Sequence, residues 1–192
     1  ALTIVKDTVA PILSLNPLGN INLLNASVFS ISGTCSEDTV VNIQAGPVSD
    51  SGSCISGSFN ESVNLTSVLD GGVSIEVGLI DIAGNPSGDI LDSTQKDASA
   101  PTVSITSYSN ITNANVSSYD LIGECSDDGE QVSIEVGGLS ILTSCILQTW
   151  SVTFSDLTSL LDGQVTIQAQ HVDSFGNVNT ATINVDKNTS LP

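Results

Sequence analysis

Five short blocks recur in the same order along the chain, 90 to 92 residues apart. Asp7-Thr8-Val9-Ala10-Pro11 returns as Asp97-Ala98-Ser99-Ala100-Pro101, and Gly33-Thr34-Cys35-Ser36 as Gly123-Glu124-Cys125-Ser126. Cys54 returns as Cys145, each with an aromatic five residues on, Phe59 or Trp150. Leu69-Asp70-Gly71 matches Leu161-Asp162-Gly163, and Asp81-Ile82-Ala83-Gly84-Asn85 matches Asp173-Ser174-Phe175-Gly176-Asn177. The slow drift of the offset is that of one-residue loop insertions, and ordered self-similarity marks a repeat architecture. The identity of Ser74–Gly78 with Ser133–Gly137 lies out of this register and reflects strand composition.

Both ends continue the pattern. Asn188–Pro192 lines up with the Asp-to-Pro linkers, and Leu2–Lys6 resembles Thr182–Lys187. The expected organisation is a last strand of a preceding repeat at 1–6, repeats at 7–96 and 97–187, and the start of a following repeat at 188–192. With no methionine in the chain, an excised or processed segment of a longer array is expected. The three lysines, Lys6, Lys96 and Lys187, fall one per boundary.

Within each repeat the pattern is that of β-strands. Val28–Ser32, Val73–Val77 and Val165–Ala169 alternate apolar and polar residues and are rich in β-branched side chains, the mark of strands with one buried face. Gly, Asn, Asp and Pro punctuate the chain every ~8–12 residues, as in a sandwich or barrel. The expected fold is all-β: two tandem immunoglobulin-like β-sandwich domains, elongated, with about seven strands in each ~90-residue unit. In the first unit strands are expected at Ile12–Leu15, Ala26–Cys35, Val40–Ala45, two between Cys54 and Leu65, then Val73–Ile80 and Ile90–Thr94. Gly46–Gly52 and Gly137–Ser144 read as divergent loops.

Composition narrows the partners. The 192 residues carry 21 acidic and 3 basic side chains, a net charge of −18, with no arginine. Neutralising phosphates needs clustered Lys and Arg, which excludes nucleic acid and anionic membrane surfaces as partners. Hydrophobic residues make up 40%, too many for a disordered acidic tail. No apolar run is long enough for a membrane-spanning helix, and no signal peptide is present in this sequence.

Four cysteines in a chain this polar point to disulfides in an oxidising compartment. Two repeats that fold alike form the same pair twice, which favours Cys35–Cys54 and Cys125–Cys145 over the two connectivities that bridge units. The alternatives are reduced core cysteines or a redox role, though no C-x-x-C is present.

The linker D-x-x-A-P, the G-x-C-S, the L-D-G and the D-x-x-G-N together resemble the tandem bacterial Ig-like (Big-type) repeats of surface adhesins, biofilm proteins and extracellular fibres. The chain looks like a cysteine-bearing variant, without the cysteine spacing or the strand tryptophan of antibody domains. The resemblance implies an extended rod projecting a binding region from a bacterial cell, often stiffened by Ca²⁺ at domain junctions.

Acidic residues collect where such junctions fall. In this topology the domain start and two loops share one pole, which would gather Asp7, Glu37, Asp38 and Asp81 in the first unit. The second unit would gather Asp97, Asp127, Asp128 and Asp173, with Asp70 of the preceding unit facing them. Ca²⁺ takes 6–8 oxygen ligands, which such carboxylates could supply. Each aspartate taken singly reads as a turn residue, since Asp and Asn cap turns through their own side chains. Zn²⁺ is disfavoured, because His171 is the single histidine.

No catalytic constellation is legible. His171 lies near a strand end, no serine sits in a nucleophile elbow, and the acid pair Asp127–Asp128 lacks an aromatic cleft. The expectation is a non-enzymatic structural or stalk segment of a secreted or cell-surface adhesin, with neighbouring repeats as its first partners. Alternatives are a module binding a host or cell-surface glycan or protein, and a subunit that self-associates into fibres through exposed strand edges.

Overall fold

The computed structural model describes residues 6–190, so all but the last residue of the preceding strand expected at 1–6, and the last two residues of the following repeat expected at 188–192, lie outside the described residues. The chain is all-β and divides into two compact units between Ser99 and Ala100.

The first unit contains β1 (Leu13–Leu15), β2 (Phe29–Cys35), β3 (Val40–Ala45), β4 (Val48–Ser53), β5 (Ser58–Val63), β6 (Gly71–Leu79) and β7 (Ile90–Lys96). They form two antiparallel sheets, ordered β1-β2-β5 and β4-β3-β6-β7. The period-two pattern does the folding. Phe29, Ile31 and Cys35 of β2, Val41, Ile43 and Ala45 of β3, and Val73, Ile75 and Val77 of β6 all turn inward and are buried. After β1 the chain changes sheets: Ile21 makes a parallel bridge to Lys96 at the end of β7.

The second unit repeats this plan with β8 (Val103–Ser107), β9 (Ile111–Thr112), β10 (Tyr119–Cys125), β11 (Gln131–Val136), β12 (Leu139–Ser144), β13 (Thr149–Phe154), β14 (Gly163–Val172) and β15 (Val178–Asn188). The sheets are ordered β8-β10-β13 and β12-β11-β14-β15-β9. Here the crossing segment is a short strand, with Lys187 and Asn188 pairing parallel to Ile111 and Thr112. The core gathers Tyr119, Leu121, Ile134, Trp150, Phe154 and Ile167.

Two elements differ from expectation. The segments read as divergent loops at 46–52 and 137–144 are largely strands β4 and β12, joined to β3 and β11 by the two-residue turns Gly46–Pro47 and Gly137–Gly138. Correspondingly, one strand rather than two lies between Cys54 and Leu65.

The recurring G-x-C block and its later aromatic are one packing unit. Gly33 pairs with Phe59 across β2–β5, and Gly123 with Trp150 across β10–β13. A Cβ at either glycine would overlap that ring and a carbonyl oxygen of the other neighbouring strand, Ser14 or Ser104. The missing side chain is the slot the ring occupies. Trp150 Nε1 completes the arrangement by donating to the Ser104 carbonyl at 3.1 Å.

The disulfides sit beside this unit. Cys35 closes β2 in one sheet, and Cys54 directly follows β4 in the other; their Cα atoms are 6.1 Å apart. Cys125 and Cys145 make the same bridge between β10 and the end of β12, with Cα atoms 5.9 Å apart. Each bond ties the two sheets of its own unit together.

Candidate functional site

Each unit ends on a buried lysine. Lys96 is 5% exposed and Lys187 4%, unusual values for a side chain that almost never leaves water unless paired. The strand register places their partners. Lys96 lies opposite Gly71 on the β6–β7 ladder, and Lys187 opposite Gly163 on β14–β15. The aspartate of the L-D-G block precedes that glycine. With φ of +123° and +128° these glycines adopt a conformation that side-chain-bearing residues rarely take.

The result is a clamp on the outgoing linker. Asp70 Oδ1 accepts from Lys96 Nζ at 2.6 Å and from the Ala98 backbone N–H at 3.1 Å, while its Oδ2 accepts from the Ser99 hydroxyl at 2.9 Å. Asp162 Oδ1 accepts from Lys187 Nζ at 3.1 Å, from the Thr189 N–H at 3.1 Å and from its hydroxyl at 2.9 Å; Oδ2 takes Ser190 Oγ at 3.3 Å. Lys187 also donates to the Leu160 carbonyl at 2.7 Å. The ammonium beside each carboxylate holds its pKa below the ordinary aspartate value, chiefly through the hydrogen bond from Lys96 or Lys187, with the linker donors adding to it. One aspartate therefore binds a buried cation and the first residues of the linker together.

The other acidic residues are placed in turns. In the D-x-x-G-N block, Asp81 Oδ1 accepts from the Asn85 N–H and Oδ2 from the Asn85 side-chain amide, both at 2.7 Å. These hydrogen bonds, the side-chain one foremost, hold the Asp81 carboxyl below its usual range. Asp173 accepts from the N–H groups of Phe175 and Asn177 at 2.9 and 2.8 Å and from the Asn177 side chain at 2.8 Å. Asp7 and Asp97 accept from the N–H groups of Val9 and Ser99, two residues on. Asp38 holds the Ser56 N–H at 2.9 Å, and Asp128 the Gln148 N–H at 2.7 Å, each bracing the tight turn after the second cysteine. Asp127 takes the Ser126 hydroxyl. Glu37 lines a shallow groove with Ser36, Asp38 and Ile82.

The expectation for calcium is two poles, one of Asp7, Glu37, Asp38 and Asp81 and the other of Asp97, Asp127, Asp128 and Asp173 with Asp70. Among the described residues, no three His, Cys, Asp or Glu side chains are disposed to hold a metal ion. Asp7, Asp81, Asp97 and Asp173 accept N–H donors of their own turns, Asp38 and Asp128 those of the turn after the second cysteine, and Asp70 is held by Lys96 and its linker. A Ca²⁺ site needs 6–8 converging oxygens, whereas these carboxylates are distributed over separate turns.

His171 is fully buried. Its Nδ1 faces the Gln131 carbonyl at 3.0 Å and its Nε2 accepts from the Asp127 N–H at 3.3 Å, which assigns the proton to Nδ1. Both ring nitrogens are engaged with the backbone. Asp127 Oδ2 lies 3.6 Å from Nε2 and the same oxygen takes the Ser126 hydroxyl, so the imidazole does not stand between serine and acid as a triad requires.

The clamp was half-visible in the sequence. The lysines at the boundaries and the L-D-G blocks both stood out as repeated features, and the antiparallel register that joins them was the missing link. Among the described residues no helix is long and apolar enough to cross a membrane.

No family model matches the chain, and no curated protein matches it in sequence. Solved structures do. A Ca²⁺-stabilized adhesin that helps an Antarctic bacterium bind ice superposes with a TM-score of 0.53 at 18% identity, over 96% of this chain and 50% of that one. A 1.5-MDa bacterial ice-binding adhesin, solved for its retention at a host cell surface, gives 0.51 at 17% identity over 96% and 67%. The fibronectin(III)-like modules of Clostridium thermocellum CbhA give 0.53 at 12% identity over 93% and 94%. The chain spans half the length of the first of these structures. At such identities the likeness is one of fold: the chain has the β-sandwich repeat architecture found in bacterial adhesins and fibronectin(III)-like modules.

Proposed function

We propose that the chain is a structural stalk segment of a secreted or cell-surface bacterial adhesin or fibre, built of tandem immunoglobulin-like domains and without enzymatic activity. The observation that carries this reading is the clamp made twice. Each unit secures its own outgoing linker with a buried lysine and an aspartate, as a segment that hands its chain on to a neighbour requires. The disulfides serve the same end by locking the two sheets of each unit, and they suit an extracellular setting. The fold likeness to adhesin repeats supports the assignment. In this reading the disulfides and the lysine–aspartate pairs supply rigidity within each unit.

Single-molecule stretching tests it. Pulled end to end, the chain should unfold in two events, each released length shortened by the loop behind the disulfide. That loop spans 19 or 20 residues. Reduction should lengthen each event by about 6–7 nm, at ~3.5 Å per extended residue. Extension at forces no greater than those of an unfolded chain would sink the structural reading.

A further inference from the structure

The two units treat the free edge of their larger sheet in opposite ways. In the first unit the edge strand β4 is guarded. It carries Asp50, and Glu61 of the adjacent β5 covers it. Glu61 occupies a core-facing phase of its own strand, between the inward Phe59 and Val63, yet reaches outward. Its Oε1 accepts the Ser53 backbone N–H at 3.3 Å, and a Cβ at Gly52 would overlap its carboxyl group. A charge on the edge and a carboxylate over it are devices by which sheets avoid pairing with strangers.

The second unit lacks both devices. Counting from the aligned cysteines, Ile141 stands where the first unit has Asp50, Leu142 where it has Ser51, and Thr143 where it has Gly52. Val152 replaces Glu61 and is buried in the core. The edge strand β12 thus reads Leu-Ser-Ile-Leu-Thr-Ser, uncharged, free of proline and half of aliphatic residues. Leu142 is 61% exposed on it. The neighbouring β13 is also uncharged. This wall of two neutral strands stands in a protein of net charge −18.

We propose that β12 is a self-association edge, pairing with β12 of a second copy of this chain across a two-fold axis. This goes beyond the stalk role and does not depend on it. The occupant follows from charge. A two-fold contact brings each surface against itself, so an edge bearing carboxylates would meet like charge. The β12–β13 wall brings neutral residues together. It offers no carboxylate on these strands to recruit a basic partner, and the surrounding acidity repels an anionic one.

Sedimentation velocity on the whole chain, disulfides intact, tests this across micromolar to millimolar concentration. A dimer is expected, strengthened by salt as the net charge is screened. Leu142→Lys, and independently Ser140→Lys, should raise the dissociation constant about tenfold or more, because an edge lysine blocks pairing. They should do so although each reduces the magnitude of the negative net charge, and with an unchanged melting temperature. Leu91→Lys, at a site 75% exposed on β7, should leave association as it was. On dimerisation, hydrogen exchange should slow at 139–144. A monomer throughout, in high salt, overturns the proposal; so does equal weakening by Leu91→Lys, or slowed exchange confined to other strands.

Discussion

At the scale of single residues, the repeated motifs are explained by what would collide or be left unpaired. Gly123 is required by the ring of Trp150 and the Ser104 carbonyl, which a methyl group would overlap. Gly123→Ala should therefore destabilise the second unit by about 1–3 kcal/mol, the usual cost of overpacking a filled site. Chemical denaturation measures it, and Gly33→Ala should behave alike against Phe59. The clamp gives a sign rather than only a size. Asp70→Ala strands a buried ammonium and should cost about 1–3 kcal/mol, since the penalty of an unpaired buried group outweighs the bond itself. Lys96→Met removes the buried charge with its desolvation cost and should cost less. Equal losses in the two variants would mean that the pairing, rather than the burial, sets the energy.

At the scale of elements, the clamp and the turns respond to acid in a definable direction. The folded pKa values of Asp70 and Asp162 are depressed, first by their lysine partners. Such a group stabilises the folded state fully above its unfolded pKa of about 3.9, and that contribution is lost as pH falls through the lower folded value. The linkers should stay clamped throughout the neutral and mildly acidic range and loosen only below about pH 4. NMR titration of the two carboxyl carbons, with the amides of Ala98 and Thr189 as reporters, should give coincident midpoints below the ordinary aspartate value. Midpoints at or above it would show that the clamp does not form in solution. Legibility in the sequence varied for physical reasons. Strands β2, β3 and β6 were readable because they alternate strictly. The first unit's β4, Val-Ser-Asp-Ser-Gly-Ser, was not, because its residues are poor strand formers held in place by pairing with β3. The two-residue Gly-Pro and Gly-Gly turns were the available hairpin signal. The acidic positions were readable as a set, while their destination was not: whether an aspartate meets a cation or its own turn depends on backbone donors that composition does not reveal.

At the scale of the whole molecule, a chain of net charge −18 with three lysines must hold itself together without a general network of ion pairs. The two buried lysines neutralise only Asp70 and Asp162. The remaining acidic surface repels itself, which destabilises the compact state and is relieved by screening. Covalent bonds are the larger counterweight. Each disulfide closes a loop of 19 or 20 residues, contributing about 3 kcal/mol in the chain-entropy picture. Calcium and disulfide then make opposite forecasts in one melting experiment. A cation bound only by the folded state raises its stability in proportion to the logarithm of free concentration over the dissociation constant, so chelation would lower the melting temperature. Among the described residues no three acidic side chains are disposed to hold a metal ion, so EDTA should leave the melting temperature unchanged, and added calcium should do no more than equal ionic strength of sodium chloride. A reductant should instead lower it markedly in both units, because each loses its bridge between sheets. A fall on chelation that calcium, but not sodium, reverses would return the stabilising role to a metal.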